Sequence, residues 1–252
     1  MLIVANGMPR SGSTLQYNAL RMIVEQTGTG VAEGYAAPDE TRTNYVSSER
    51  LVEWAADETL HLIKSHSVHP NLLSLSSAGR TKACYIFRDL RDVAVSRRVA
   101  WGDAGDVLFE GLDRSVGWYW EMRAIQAAHP DAVLWQDYAE VIGDLPESVG
   151  ALARFLEVPL PANVVDEIVS SCTVEAVKPQ VEARKRDLQE LIQSLRKRDP
   201  RLAGQLVQQL GRGRDRAEMV FRDAHTLVSY NQISPFKGAV GICLTPRRRR
   251  RS

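Results

Sequence analysis

Apolar and polar positions fall into blocks that predict strands and helices in alternation. Leu2, Ile3, Val4 and Ala5 form a short apolar run that reads as a buried strand, and residues 16–24 carry the apolar spacing of a helix. Residues 59–66 alternate like a second strand ending in polar groups. Residues 81–87 read as a third strand and residues 132–135 as a fourth. Ser47 caps a helix through Trp54, Asp89 caps one through Val99, and residues 108–128, 145–155 and 163–171 read as further helices. Thr27-Gly28-Thr29-Gly30 is a turn cluster, and residues 31–44 mix Gly34, Pro38 and charges like an irregular surface segment. In residues 180–215, Leu188, Leu191, Ile192 and Leu195 form one stripe amid charges, interrupted at Asp199-Pro200. Two exposed amphipathic helices are expected there, as a lid or an oligomer contact.

Strand–helix alternation implies an α/β fold: a three-layer sandwich with a central parallel sheet and helices on both faces. Ligands of such sheets collect beyond the carboxyl ends of the strands. At 252 residues the chain suits one domain, expected over residues 1–246, with 180–215 as a helical lid or insertion.

Composition narrows the picture. Hydrophobic content of 44% and charged content of 25% are ordinary for a soluble globular protein, and no apolar run is long enough for a signal peptide or a bilayer span, so the cytoplasm is the expected location. Cys84, Cys172 and Cys243 are far apart and lack metal-ligand spacing, which reads as reduced thiols. Net charge is +1, but five of the 32 basic residues are the successive arginines from Arg247 to Arg251; the remaining 27 face 31 acids, leaving the body at −4. A nucleic-acid face is not supported. Residues 247–252 read as a basic disordered tail, with weak contact to an anionic surface its one candidate role.

Candidate chemistry centres on the loop after the first strand. Strand, glycine-bearing loop and helix point backbone N–H groups and the positive helix end at an anion, usually phosphate. Gly7 and Gly12 permit the turn, while Ser13 and Thr14 add hydroxyl donors. The spacing nearly spells G-x-x-x-x-G-K-[ST], but Ser13 occupies the lysine slot and the basic residue is Arg10. That displacement counts against an ordinary ATPase or kinase. Lys64-Ser65-His66 and Arg88 lie at the ends of two other strands, so three segments converge on one crevice.

Assembled, these segments resemble the sulfotransferases that use 3′-phosphoadenosine 5′-phosphosulfate (PAPS) as donor and release 3′-phosphoadenosine 5′-phosphate (PAP). Pro9-Arg10-Ser11-Gly12-Ser13-Thr14 is similar to that family's 5′-phosphosulfate loop, Lys64-Ser65-His66 to its K-x-H triplet, and Arg88 with Ser96 to its 3′-phosphate motif. Tyr138 falls where a tyrosine faces the adenine, and Lys237-Gly238-Ala239-Val240-Gly241 is similar to the late loop that closes on the 3′-phosphate. Leu15, Ala139, Phe236 and Ile242-Cys243 depart from the family pattern.

The resemblance implies that Arg10 and Lys64 stabilise charge on the bridging and leaving oxygens and that the amides of Ser11, Gly12, Ser13 and Thr14 hold the 5′-phosphate. It further implies that Arg88, Ser96, Lys237 and Gly238 hold the 3′-phosphate. His66 is the implied general base, with His69 as a spare and Glu33 as a weaker candidate. A metal cluster of His61, His66 and His69 is not expected, because the chemistry needs none. The acceptor is a hydroxyl on a small molecule, lipid or sugar, bound among residues 31–46, 101–113 and 180–215. A nucleotide-dependent kinase and a non-catalytic nucleotide-binding module are the competing readings. Oligomeric state is not legible.

Overall fold

The computed structural model describes residues 1–38, 44–201 and 204. The late loop with Lys237 and Gly238, and the arginine tail, therefore lie outside the described residues.

Five parallel strands form one sheet in the order β2-β3-β1-β4-β5. They are β1 (Leu2–Gly7), β2 (Gly30–Tyr35), β3 (Leu60–Ser65), β4 (Thr81–Phe87) and β5 (Val133–Asp137). All six residues of central β1 and all six of β3 are buried, polar Asn6, His61, Lys64 and Ser65 included, because helices cover the sheet on both faces.

Alternate residues of each strand serve two separate cores. On one face Ile3, Ala5, Leu62, Cys84 and Ile86 pack under α1 (Ser13–Thr27), α7 (Leu145–Leu156) and α8 (Ala162–Ser171). On the other, Leu2, Val4, Ile63, Ala83 and Tyr85 pack under α2 (Ser48–Ala56), α3 (Leu72–Ser77) and α5 (Gly105–Ala128). Helices on both faces of a parallel sheet make the expected three-layer sandwich. The remaining helices are α4 (Leu90–Trp101), α6 (Tyr138–Gly143) and α9 (Val174–Arg198).

Local sequence explains the element boundaries nearest the site. The Ser47 hydroxyl accepts from the Arg50 N–H and the Asp89 carboxylate from the Arg91 N–H, so both expected caps are present. α4 ends at Gly102, whose φ of 68° closes the helix in the left-handed conformation.

Two expectations are corrected. Residues 30–35 are not irregular but form edge strand β2. Its pairing with β3 shifts between Ala32 and Gly34, leaving Glu33 as the extra residue of a bulge, which breaks the period-two pattern. Residues 101–113 are mostly helical, because α5 begins at Gly105 rather than near Leu108. The stripe of residues 188–195 lies on α9, which starts at Val174 rather than near residue 180, continues through Pro179 and ends at Arg198, so the expected break at Asp199-Pro200 is present. The second expected helix, up to residue 215, lies largely outside the described residues.

Candidate active site

β1 feeds directly into the glycine-bearing loop. A side chain at Gly7 would put its Cβ 2.6 Å from both the Ile86 Cγ2 and the Ile86 carbonyl oxygen of β4, so only glycine lets the strands approach so closely. Gly12 caps α1 with φ 87°, and a Cβ there would stand 2.6 Å from Tyr138 Cδ2. The turn between them also holds Arg10 at φ 73°, a conformation that costs a residue with a Cβ about 1–2 kcal/mol.

Ser11 faces inward. Its N–H donates to the Met8 carbonyl at 3.1 Å, and its hydroxyl lies 2.7 Å from the same oxygen and 3.0 Å from the Ile86 carbonyl. With both donors engaged and the residue fully buried, Ser11 fastens the loop to β4 instead of offering its amide to a ligand. Of the expected cradle amides, that of Ser11 is thus engaged by Met8, while Gly12, Ser13 and Thr14 stand at the N-terminal end of α1.

The end of β3 lies against this helix terminus. Lys64 Nζ donates to Thr14 Oγ1 at 2.7 Å and is buried. Burial and the like charge of Arg10 lower Lys64 to about 7. His66 Nδ1 donates to the Gly7 carbonyl at 2.8 Å, which fixes the tautomer and leaves the Nε2 lone pair available for a proton. Desolvation first, then the charges of Lys64 and Arg10, pull His66 down to about 3. Its ring lies 5.7 Å from that of Tyr35 at the end of β2.

α4 supplies the next wall. Arg10 Nε donates to Ser96 Oγ at 3.0 Å, so the loop and the Arg88–Ser96 motif are physically joined. Arg88, which follows β4, lies 4.5 Å over the ring of Tyr138, and that ring in turn lies against Gly12. Arg88 also reaches Asp92 at 3.4 Å through Nε and Nη2, a partly exposed contact of small energy. Arg10, Gly12, Thr14, Lys64, His66, Arg88, Ser96 and Tyr138 thus share the carboxyl edge of the sheet.

Other candidates lie elsewhere. Glu33 Oε1 pairs with His61 Nδ1 at 2.7 Å, and Asp57 Oδ2 takes the other ring nitrogen at 2.9 Å. Glu33 is thereby engaged near the start of β3, at the opposite end of that strand from Lys64 and His66. His69 is buried, and its Nε2 has no partner among the described residues. Arg97 of α4 is buried and paired with Asp103 at 2.6 Å. That pair and Trp101, which lies beside Arg10 and Arg97, went unrecognised, since neither apolar spacing nor a local motif marks them.

The family model described as the sulfotransferase domain matches residues 2–199, and the chain belongs to that family. Among solved structures, retinol dehydratase in a complex with retinol and PAP aligns at 18% identity and TM-score 0.51, over 70% of this chain and 66% of its own. Mouse sulfotransferase SULT7A1 complexed with PAP aligns at 16% identity and TM-score 0.50, over 71% of this chain and 65% of its own. At such identities the likeness concerns the fold, and the chain spans just under two thirds of each neighbour's length. Among curated proteins, none matches the sequence. No helix among the described residues is long and apolar enough to cross a membrane.

Proposed function

We propose that the chain transfers a sulfuryl group from PAPS to a hydroxyl acceptor, releasing PAP. The observation that carries this reading is the meeting of Lys64, Thr14 and His66 at the N-terminal end of α1, with Arg10 close enough to depress Lys64 by like charge. Two cations beside a positive helix end repel one another, and an anionic ligand between them relieves that repulsion. Ser13 in the lysine slot of the nucleotide loop counts against a kinase.

The donor supplies an activated sulfuryl group on a phosphate that can leave. Lys64 and Arg10 stabilise negative charge as the S–O bond to the 5′-phosphate breaks. The Ser13 and Thr14 N–H groups face the 5′-phosphate from the start of α1. Arg88 and Ser96 bind the 3′-phosphate, and Tyr138 presents its ring beside the adenine. His66 Nε2 accepts the acceptor hydroxyl proton as that oxygen bonds to sulfur. The bond to Gly7 holds the ring in the tautomer whose Nε2 can take that proton, and an anionic donor beside Lys64 and Arg10 raises His66 from about 3 toward the working range of a base. The acceptor is a small molecule, in keeping with the retinol that the dehydratase neighbour binds.

The test is turnover of PAPS with a panel of hydroxyl acceptors, in the wild type and in His66→Ala. Loss of a general base lowers kcat by about 10²–10⁴-fold, with PAP binding kept. A variant that binds PAP and turns over at the wild-type rate removes His66 from the mechanism. A wild type stabilised thermally by ATP with Mg²⁺ but not by PAP removes the donor assignment.

A further inference from the structure

Arg10 must be held firmly to act on a developing charge, yet it starts from an unfavourable backbone. Its φ of 73° lies in the left-handed region without the excuse of glycine. Such a conformation persists where surrounding contacts over-determine it. One such contact is the hydrogen bond to Ser96. A second is to Trp101, the last residue of α4, whose ring centroid lies 5.5 Å from the Arg10 Cζ.

Trp101 is itself anchored. Arg97 Cζ lies 5.0 Å from the centroid of the same ring, and Arg97 and Asp103 form a buried ion pair with side chains only 8% and 5% exposed. The Arg97 guanidinium fills the space over Gly111 of α5, where a Cβ would collide with it. Helix α4, the turn after it and α5 are therefore locked together around the tryptophan.

We propose that Trp101 is a positioning residue, a π platform braced by Arg97–Asp103 that orients the Arg10 guanidinium toward the phosphosulfate site. This rests on the sulfuryl-transfer reading given above. Cation–π attraction over an indole is stronger than over other rings, and a planar guanidinium stacks where an ammonium does not. The arginine of the loop and the tryptophan of α4 thus form a matched pair. Trp101 touches neither donor nor acceptor in this role and acts through Arg10 alone.

The experiment is a double-mutant cycle on the full chain, with PAP affinity measured by isothermal titration calorimetry. Trp101→Ala weakens PAP binding about tenfold, while Trp101→Phe restores most of the loss. In an Arg10→Met background, which keeps side-chain length without the charge, Trp101→Ala has no further effect on affinity. A structural role of the tryptophan would instead weaken binding equally in both backgrounds, and that result overturns the proposal. Unchanged affinity in Trp101→Ala overturns it as well, with the donor assignment intact. A wild type that does not bind PAP overturns both. If Trp101→Ala does not fold, Trp101→Leu removes the π face with less lost volume and carries the same cycle.

Discussion

Substituting Gly12 by alanine tests how the loop, the start of α1 and Tyr138 depend on one another. The new Cβ meets two obstacles. At φ 87° it forces a non-glycine residue into the left-handed region, at a cost of about 1–2 kcal/mol. It also stands 2.6 Å from Tyr138 Cδ2 and 2.8 Å from Cε2, and relieving such overpacking typically costs about 1–3 kcal/mol. The stiffer unfolded chain returns about 0.4–1 kcal/mol. The net loss is about 1–5 kcal/mol, and for a domain of this size the melting temperature falls by roughly 2–20 °C. The clash can be isolated. In a Tyr138→Ala background the ring is gone, and Gly12→Ala retains only its backbone cost of about 1 kcal/mol. The assay is denaturant unfolding of the four proteins in the cycle, followed by circular dichroism. Strict additivity, with alanine equally damaging whether or not the tyrosine is present, would refute the claim that this ring sets the requirement for glycine.

Further outcomes follow from the buried charges. His66, pulled down to about 3, stays a neutral imidazole between pH 5 and 8, its ring ¹⁵N shifts keeping one protonated and one bare nitrogen apart from a small perturbation as Lys64 titrates near 7; the two equal, protonated nitrogens of an imidazolium at pH 5 contradict its placement beside Lys64 and Arg10. Lys64 falls to about 7 when folded but keeps its proton up to about 10.4 when unfolded, so the unfolded chain binds more protons in that window. Its contribution to stability therefore rises with pH from about 7 to about 10, and Lys64→Met flattens that slope in unfolding titrations. At pH 8.5, PAP binding takes up protons as the anion restores charge to Lys64. Calorimetry in buffers of different ionisation enthalpy reads this uptake, and heats independent of the buffer contradict it. Asp103→Ala leaves Arg97 buried without its counter-charge and lowers stability by about 3–5 kcal/mol in the same unfolding assay, whereas a loss under 1 kcal/mol would mean that the pair is solvated.

What the sequence disclosed follows from the range of each signal. β1, the loop and α1 are legible because strand, glycines and helix lie side by side in the chain. β3 is legible from the alternation that ends in Lys64 and Ser65, and β4 from the apolar stretch Ala83 to Phe87 that the sheet buries. β2 was missed because the bulge at Glu33 shifts its register and an edge strand tolerates polar residues. The convergence of Lys64, His66 and Arg88 on the loop follows from topology alone, since parallel strands deliver their carboxyl ends to one edge. The roles of single side chains do not. Nothing in the motif marks that the Ser11 N–H meets the Met8 carbonyl, or that its hydroxyl meets the carbonyls of Met8 and Ile86, the second far along the chain. Arg97 has the spacing of an exposed helix position, and only folding brings Gly111 and Asp103 against it.

The account stands on one claim, that three strand ends and α4 together grip an adenosine bearing two phosphates. Its most direct test compares the affinity of PAP with that of adenosine 5′-monophosphate, which lacks the 3′-phosphate, in the wild type and in Arg88→Ala. The account predicts that the wild type prefers PAP by at least about tenfold, and that the variant loses this preference while retaining the weaker affinity for the monophosphate. A wild type indifferent to the 3′-phosphate, or a preference that survives removal of Arg88, would contradict it.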